Sequence, residues 1–248
     1  MTISYLIQNG LTVSDSGPKL SGFVVPDLSA LPGPVGQYYL GNGGFGVDEQ
    51  LRNIANYGAS NNLARVGALP LTTEFTAALS LNARFDTGIA EADAMTIGII
   101  AMPTRTTTNS VVLGADGNGT WQKNLIVDFN SNVFRCGGLD GASTFRQAGR
   151  SVDSVDTSKL LVAVGSIDAD RISAGFRLGG IYQESLSGAF TGRTPSGTIN
   201  IGTPYTDFAH PSTVAAVAIF NGRLDATQRA TLALALEQGL DVWGVPHN

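Results

Sequence analysis

Cysteine is almost missing from this 248-residue chain: Cys136 stands alone, so no internal disulfide holds the fold. Its plainer role is that of a small half-buried residue rather than a reactive nucleophile. Histidine occurs twice, at His210 and His247, which excludes a metal site built from several imidazoles. It also leaves a Ser-His-Asp triad with two possible bases, and no Gly-x-Ser-x-Gly elbow accompanies either. Lysine is limited to Lys19, Lys123 and Lys159, and the formal net charge is −5. No basic footprint for nucleic acid exists. No apolar stretch approaches the ~20 residues of a membrane span, and MTISYLIQNGLTVSD has neither the basic start nor the apolar centre of a secretory signal. The expectation is a protein made in a cytoplasm and not exported by a signal peptide, and virion assembly is one route that reads none.

What the chain does have is glycine and apolar residues. With 31 glycines, 43% apolar and only 14% charged residues, its surface must be built from Thr, Ser and Asn. That is the composition of a β protein rich in turns, and 248 residues fit one large sandwich.

The most informative stretch is Val214 to Leu240. Val214 to Phe220 is seven apolar residues ended by Asn221-Gly222, the pattern of a strand covered on both faces. Asp225 and Gln228 then form a capping-box pair. Leu232, Leu236 and Leu240 recur every four residues, so a helix is expected over about Ala226 to Gln238, stopped by Gly239.

Further strands are expected at Leu79–Phe85, Met95–Ala101, Val111–Leu113, Leu125–Phe129, Leu160–Ser166, Ile172–Leu178 and Thr198–Ile201. Turn signals stand at residues 116–119, Gly137-Gly138, Asp140-Gly141 and Gly179-Gly180. Many short strands and one late helix imply an all-β, two-layer antiparallel sandwich. Residues 1–36 differ from the rest: Pro18, Pro26, Pro32 and Pro34 favour an extended N-terminal arm, packed either on its own sandwich or on a neighbouring subunit. The expected division is therefore an arm over 1–36 and one domain over 37–248. Within the latter, Gly41, Gly43, Gly44 and Gly46 lack the Lys-Ser/Thr pair and the helix of a phosphate loop, and read as turns.

The segment VAAVAIFNGRLDATQRATLAL resembles the last strand and closing helix of laminin-G-like, concanavalin A-like jelly rolls. SVDTSKLLVAVGSI ahead of RISAGFRLGGIY is similar to a strand pair of the same domains, with Lys159-Leu160 in place of their Trp-His. The resemblance extends over roughly residues 75–240 and implies a jelly roll. Some members are glycosidases with Glu-x-Asp-x-Glu on one strand. Here Glu91-Ala92-Asp93 has two acids, but Met95 and Thr96 stand where a third would be, so retaining hydrolysis lacks a partner and a non-enzyme is expected. Both acids then read as solvated groups beside a strand.

Binding remains. Sugar faces stack on exposed aromatics while Asn and Asp take hydroxyls, and loop positions for both are Tyr38, Tyr39, Trp121, Asn124, Tyr182, Tyr205 and Asp207. The glycan-contact candidates are Trp121, Asn124, Tyr182, Tyr205 and Asp207, with Trp121 foremost. Asp116 and Asn118 offer hard oxygens, so calcium is the one cofactor left open. Similar jelly rolls occur in bacteriophage tail and virion surface proteins. The resemblance thus implies a non-enzymatic virion component, tail fibre or capsid decoration, contacting other virion proteins, copies of itself as a trimer or dimer, and host surface polysaccharide. A free lectin-like protein is the alternative, and an unusual glycoside hydrolase the third reading.

Overall fold

The apolar run at Val214 is the middle of a ten-residue strand, β15 (Ser212–Asn221), whose central residues are all buried. In the computed structural model, which describes residues 26–41, 53–55, 61–68, 70–73, 75–116, 125–141, 144–187, 195–208 and 210–248, this strand organises the larger of two sheets. The strands before it are β1 (Gly36–Tyr39), β2 (Ala64–Gly67), β3 (Leu71–Thr72), β4 (Ala77–Leu79), β5 (Ala83–Ala90), β6 (Met95–Ala101) and β7 (Ser110–Asp116). They continue as β8 (Ile126–Asn130), β9 (Val133–Leu139), β10 (Phe145–Ser151), β11 (Leu161–Ile167), β12 (Ile172–Leu178), β13 (Ile181–Leu186) and β14 (Thr198–Ile201). One helix, α1 (Ala226–Trp243), follows β15.

Eight strands form one sheet in the order β13-β12-β11-β6-β15-β4-β3, with β1 also on β15; seven form the other, β10-β9-β8-β7-β14-β5-β2. Every strand pair is antiparallel. β15 meets β6 along one edge, and its other edge is shared end to end by β4 and β1. Being paired on both edges and covered on both faces, it can hold no polar side chain in its middle, which is why the run is apolar.

Between the sheets lies the main core, in which Ile97, Ile99, Val217 and Ile219 face Val127, Phe129, Phe134, Ile199 and Ile201. Cys136 is buried in it, its Cβ and Sγ filling the space beside Gly165. A second core lies outside the larger sheet, where Ile100, Val162, Val164, Ala218 and Phe220 meet Leu232, Leu236 and Leu240 of α1. Gly98 leaves room for two of these leucines: a Cβ there would lie 2.9 Å from Leu236 and 3.0 Å from Leu232.

The helix starts as its sequence predicts. Gln228 N–H donates to Asp225 Oδ1 (2.8 Å) and Asp225 N–H to Gln228 Oε1 (2.9 Å). Its end differs: α1 continues past Gln238 to Trp243, and Gly244, at φ 64°, is the left-handed cap. Gly239 is instead a contact point, for a Cβ there would lie 2.7 Å from Pro26. The arm crosses the helix at that glycine. Leu28 and Leu31 are buried in the helix-side core, and Val35 N–H donates to Ile219 O (2.8 Å) just before β1. Residues 26–35 thus lie on their own sandwich, and β1 straddles the expected 36/37 boundary.

Two further expectations are corrected. Leu79–Phe85 is not one strand: Ser80 and Ala83 exchange backbone hydrogen bonds around a tight turn that joins β4 to β5, so its alternation was incidental. Gly137-Gly138 lies inside β9 rather than at a turn, because Phe145 occupies the space a side chain at Gly137 would need.

Candidate functional site

Strand register sorts the connections into two ends. Thr198 is opposite both Ala90 and Asp116, Ile126 is opposite Gly114 and Gly137, and Leu139 is opposite Phe145. In the other sheet Met95 is opposite Ile167 and Asn221. Residues 91–94, 168–171 and 222–225 therefore gather at one end, together with the junctions of 117–124, 140–144 and 187–197. The turns at 80–82, 131–132, 152–160 and 179–180 gather at the other.

Glu91 anchors the first end. It is buried, and its carboxylate accepts from Leu125 N–H at the start of β8 and from Ser196 N–H (2.9 Å) ahead of β14. Its own amide donates to Gly197 O (3.0 Å). The expected solvated acid is thus a structural one, tolerated in the interior because amides from two other segments donate to both of its oxygens. Asp93 is exposed. Around them, Asp140 accepts from Thr144 N–H (2.8 Å) and pairs with Arg146 (2.9 Å). Asp168 accepts from Asp170 and Arg171 amides (2.7 Å each) and pairs with Arg223 (2.9 Å). Burial opposes ionisation of Asp168, but those amides and the guanidinium outweigh it and hold the carboxyl below its usual range.

Of the predicted contact residues, the described ones, Asp116, Tyr182, Tyr205 and Asp207, do not share one surface. Asp116 ends β7 opposite Thr198, while Asn118, Trp121 and Asn124 fall between Asp116 and Leu125 in the chain and lie outside the described residues. Tyr182 is on β13, half-buried against the helix side, with its hydroxyl 3.4 Å from Glu184 Oε2; burial pushes its pKa up. Tyr205 is only 5% exposed. Its ring lies on Gly114, its hydroxyl donates to Ala115 O (2.8 Å), and Phe208 meets it edge-on at 5.8 Å. A ring placed so offers no face to a sugar. Asp207 is exposed between them. Tyr38 and Tyr39 are not loop residues either: both are buried in β1, Tyr38 donating to Asn61 O (2.7 Å) and Tyr39 packing on Trp243 at 5.4 Å.

Sequence reasoning missed the outer face of the seven-stranded sheet. One register row there runs Asp86, Asn200, Gly114, Ile126, Gly137, Gln147. Tyr205 lies over the first glycine and Phe145 over the second. Glycines inside strands were the available signal, since they permit close approach. Beside this row Asp128 is fully buried and held by a two-pronged Arg135 contact, Arg135 Nε donating at 2.9 Å. Burial raises the Asp128 pKa against the pull of Arg135. Among the described residues, no group of three or more His, Cys, Asp or Glu is placed to hold a metal.

No protein-family model matches the chain, and no curated protein matches it. Solved structures do. The botulinum neurotoxin serotype G binding domain is 13% identical with a TM-score of 0.58, over 83% of this chain and 51% of that one. The receptor binding domain of a botulinum neurotoxin C/D mosaic is 11% identical with a TM-score of 0.57, over 86% and 55%. A Trypanosoma rangeli sialidase, solved with 2,3-difluoro-KDN, is 16% identical with a TM-score of 0.53, over 84% and 33%. The chain spans about half the length of those neurotoxin domains and a third of the sialidase. What these likenesses show is the fold: a two-sheet antiparallel sandwich of the jelly-roll kind.

Proposed function

We propose that the chain is a non-catalytic recognition module that binds cell-surface glycans through the loops at the Glu91 end, and that it is carried as a subunit on a bacteriophage virion. One observation carries the binding reading. Register brings the junctions of six connections to that end, and a buried carboxylate on one of them braces two others, so polar groups from separate segments share a firm base. Trp121 and Asn124 belong to one of those connections and supply the stacking surface and hydroxyl reader that sugars need. The neurotoxin neighbours, titled as binding and receptor binding domains, are in keeping with recognition.

The test is a glycan array followed by titration with the best hit. Wild type binds, Trp121→Ala weakens binding by about tenfold or more, in line with one lost stacking contact, and Tyr205→Phe does not. Binding that survives EDTA fits the metal-free reading; loss on chelation assigns calcium to Asp116 and Asn118. Release of reducing ends that disappears in Asp93→Asn would contradict the non-catalytic part. The mass of the native particle tests the virion part, which predicts a large assembly containing several copies.

A further inference from the structure

Residues 91–94 join the two sheets. β5 belongs to the seven-stranded sheet and β6 to the eight-stranded one, so this short segment crosses from one layer to the other at the end where the loops gather. Both sides of the crossing are pinned. On the β5 side the Glu91 amide donates to Gly197 O (3.0 Å), and its carboxylate accepts from Leu125 and Ser196 N–H. On the β6 side Gly222 N–H donates to Ala94 O (2.8 Å), and the Ala92 amide donates to Met95 Sδ (3.4 Å). Thr96 Oγ1 donates to Gly222 O (3.0 Å) and accepts from Leu224 N–H (2.9 Å). Met95 is fully buried, opposite Ile167 and Asn221. The crossing is thus fixed against the entrances of β8 and β14 on one side and against the ends of β11 and β15 on the other.

One polar side chain of this segment faces solvent. Glu91 is buried, Ala92 and Ala94 are half-buried and apolar, and Asp93 is exposed. Asp140 and Asp168, on neighbouring turns, are engaged differently: each accepts from amides of its own turn and pairs with an arginine. A carboxylate accepts through two oxygens with about four lone-pair sites, enough for two ligand hydroxyls besides a protein partner. Being shorter than Glu or Lys, Asp also has less rotamer freedom to lose when a ligand fixes it.

We propose that Asp93 is the specificity-determining residue of the glycan site, its carboxylate accepting from two adjacent hydroxyls of a pyranose ring and so selecting sugars in which both are free. This rests on the recognition reading above and adds to it the residue and the chemical group it reads. A reader mounted on a pinned crossing needs no loop ordering when it binds, which is where affinity is otherwise lost. Hydrogen bonds from hydroxyl to carboxylate are charge-assisted and of the stronger kind. A sugar lacking one of the two hydroxyls leaves the carboxylate desolvated without its donor, and that is the basis of the discrimination.

A glycan array probed with wild type, Asp93→Asn and Asp93→Ala tests this, followed by titration of the strongest hit and its singly deoxygenated forms. Asp93→Ala should weaken the strongest hit by about tenfold or more, and Asp93→Asn, which keeps one acceptor oxygen, by less. Asp241→Asn, on the exposed side of α1, should leave it unchanged. At least one deoxygenated form should bind wild type about tenfold more weakly and Asp93→Ala less than about twofold more weakly, a coupling that a residue acting only through the fold does not produce. Should Asp93→Ala lower the unfolding midpoint, Asp93→Asn, similar in size and shape, carries the same comparison. Full affinity in Asp93→Ala, or equal losses in both proteins for every deoxygenated form, would overturn the assignment of Asp93 and leave the recognition reading standing. A wild type that binds no arrayed glycan would overturn both.

Discussion

The two sheets cover their outer faces in opposite ways. Outside the eight-stranded sheet, α1 lays Leu232, Leu236 and Leu240 on a floor of Ile100, Val162, Ala218 and Phe220, and two ion pairs tie one of its flanks to β12 and β13. There Arg229 grips Glu184 with two 2.8 Å hydrogen bonds and Arg177 meets Glu237. Outside the seven-stranded sheet no helix lies among the described residues; a short loop lays Tyr205 and Phe208 on Val111 and Ile126, next to the buried Asp128–Arg135 pair. The first face gains its stability from apolar area. The second holds a charge in the interior, which is stable only while its partner remains.

That difference ranks the expected effects. Arg135→Met leaves the Asp128 carboxylate buried without its partner and should cost about 3–5 kcal/mol in denaturant unfolding. A loss under ~1 kcal/mol would show that solvent reaches Asp128 and that the two faces differ less than described. Leu236→Ala on the helix side should cost about 2–5 kcal/mol through a cavity over Gly98; a negligible loss would make α1 peripheral.

These same contacts show what the residues disclosed in advance. Wherever a face is covered by regular structure, periodicity is visible: β12, β14 and β6 begin and end where the sequence pattern places them, and the capping box starts α1. Where coverage comes from a loop or an arm, the pattern misleads, because the partner is distant in the chain. Gly239 looks like a helix stop until Pro26 is seen against it, and Gly137 like a turn until Phe145 is. Glu91 was visible only as half of an acidic pair, since the amides it serves come from residues 125 and 196. The candidate site was therefore legible in its aromatic and amide residue types and not in their grouping: Tyr205 and Tyr182 face elsewhere, and the brace under the loops carried no motif.

Two smaller effects sharpen the contrast. Glu91→Gln replaces one acceptor oxygen with an amide donor facing a backbone N–H, and should cost about 1–3 kcal/mol. No change would restore the reading of Glu91 as a solvated acid. Gly239→Ala should gain nothing in stability, because the ~0.8–1 kcal/mol expected from helix propensity is offset by the collision with Pro26. A gain of that full size in thermal unfolding would show that the arm does not rest on the helix there.

The most direct test of the recognition account is a map of where a bound glycan lands, by amide chemical-shift or hydrogen-exchange changes on titrating the best array hit. The account predicts changes at residues 91–94, 140–141, 168–171 and 195–197, around the base held by Glu91. Changes confined to 131–132, 152–160, 179–180 or the Tyr205–Phe208 loop would contradict it.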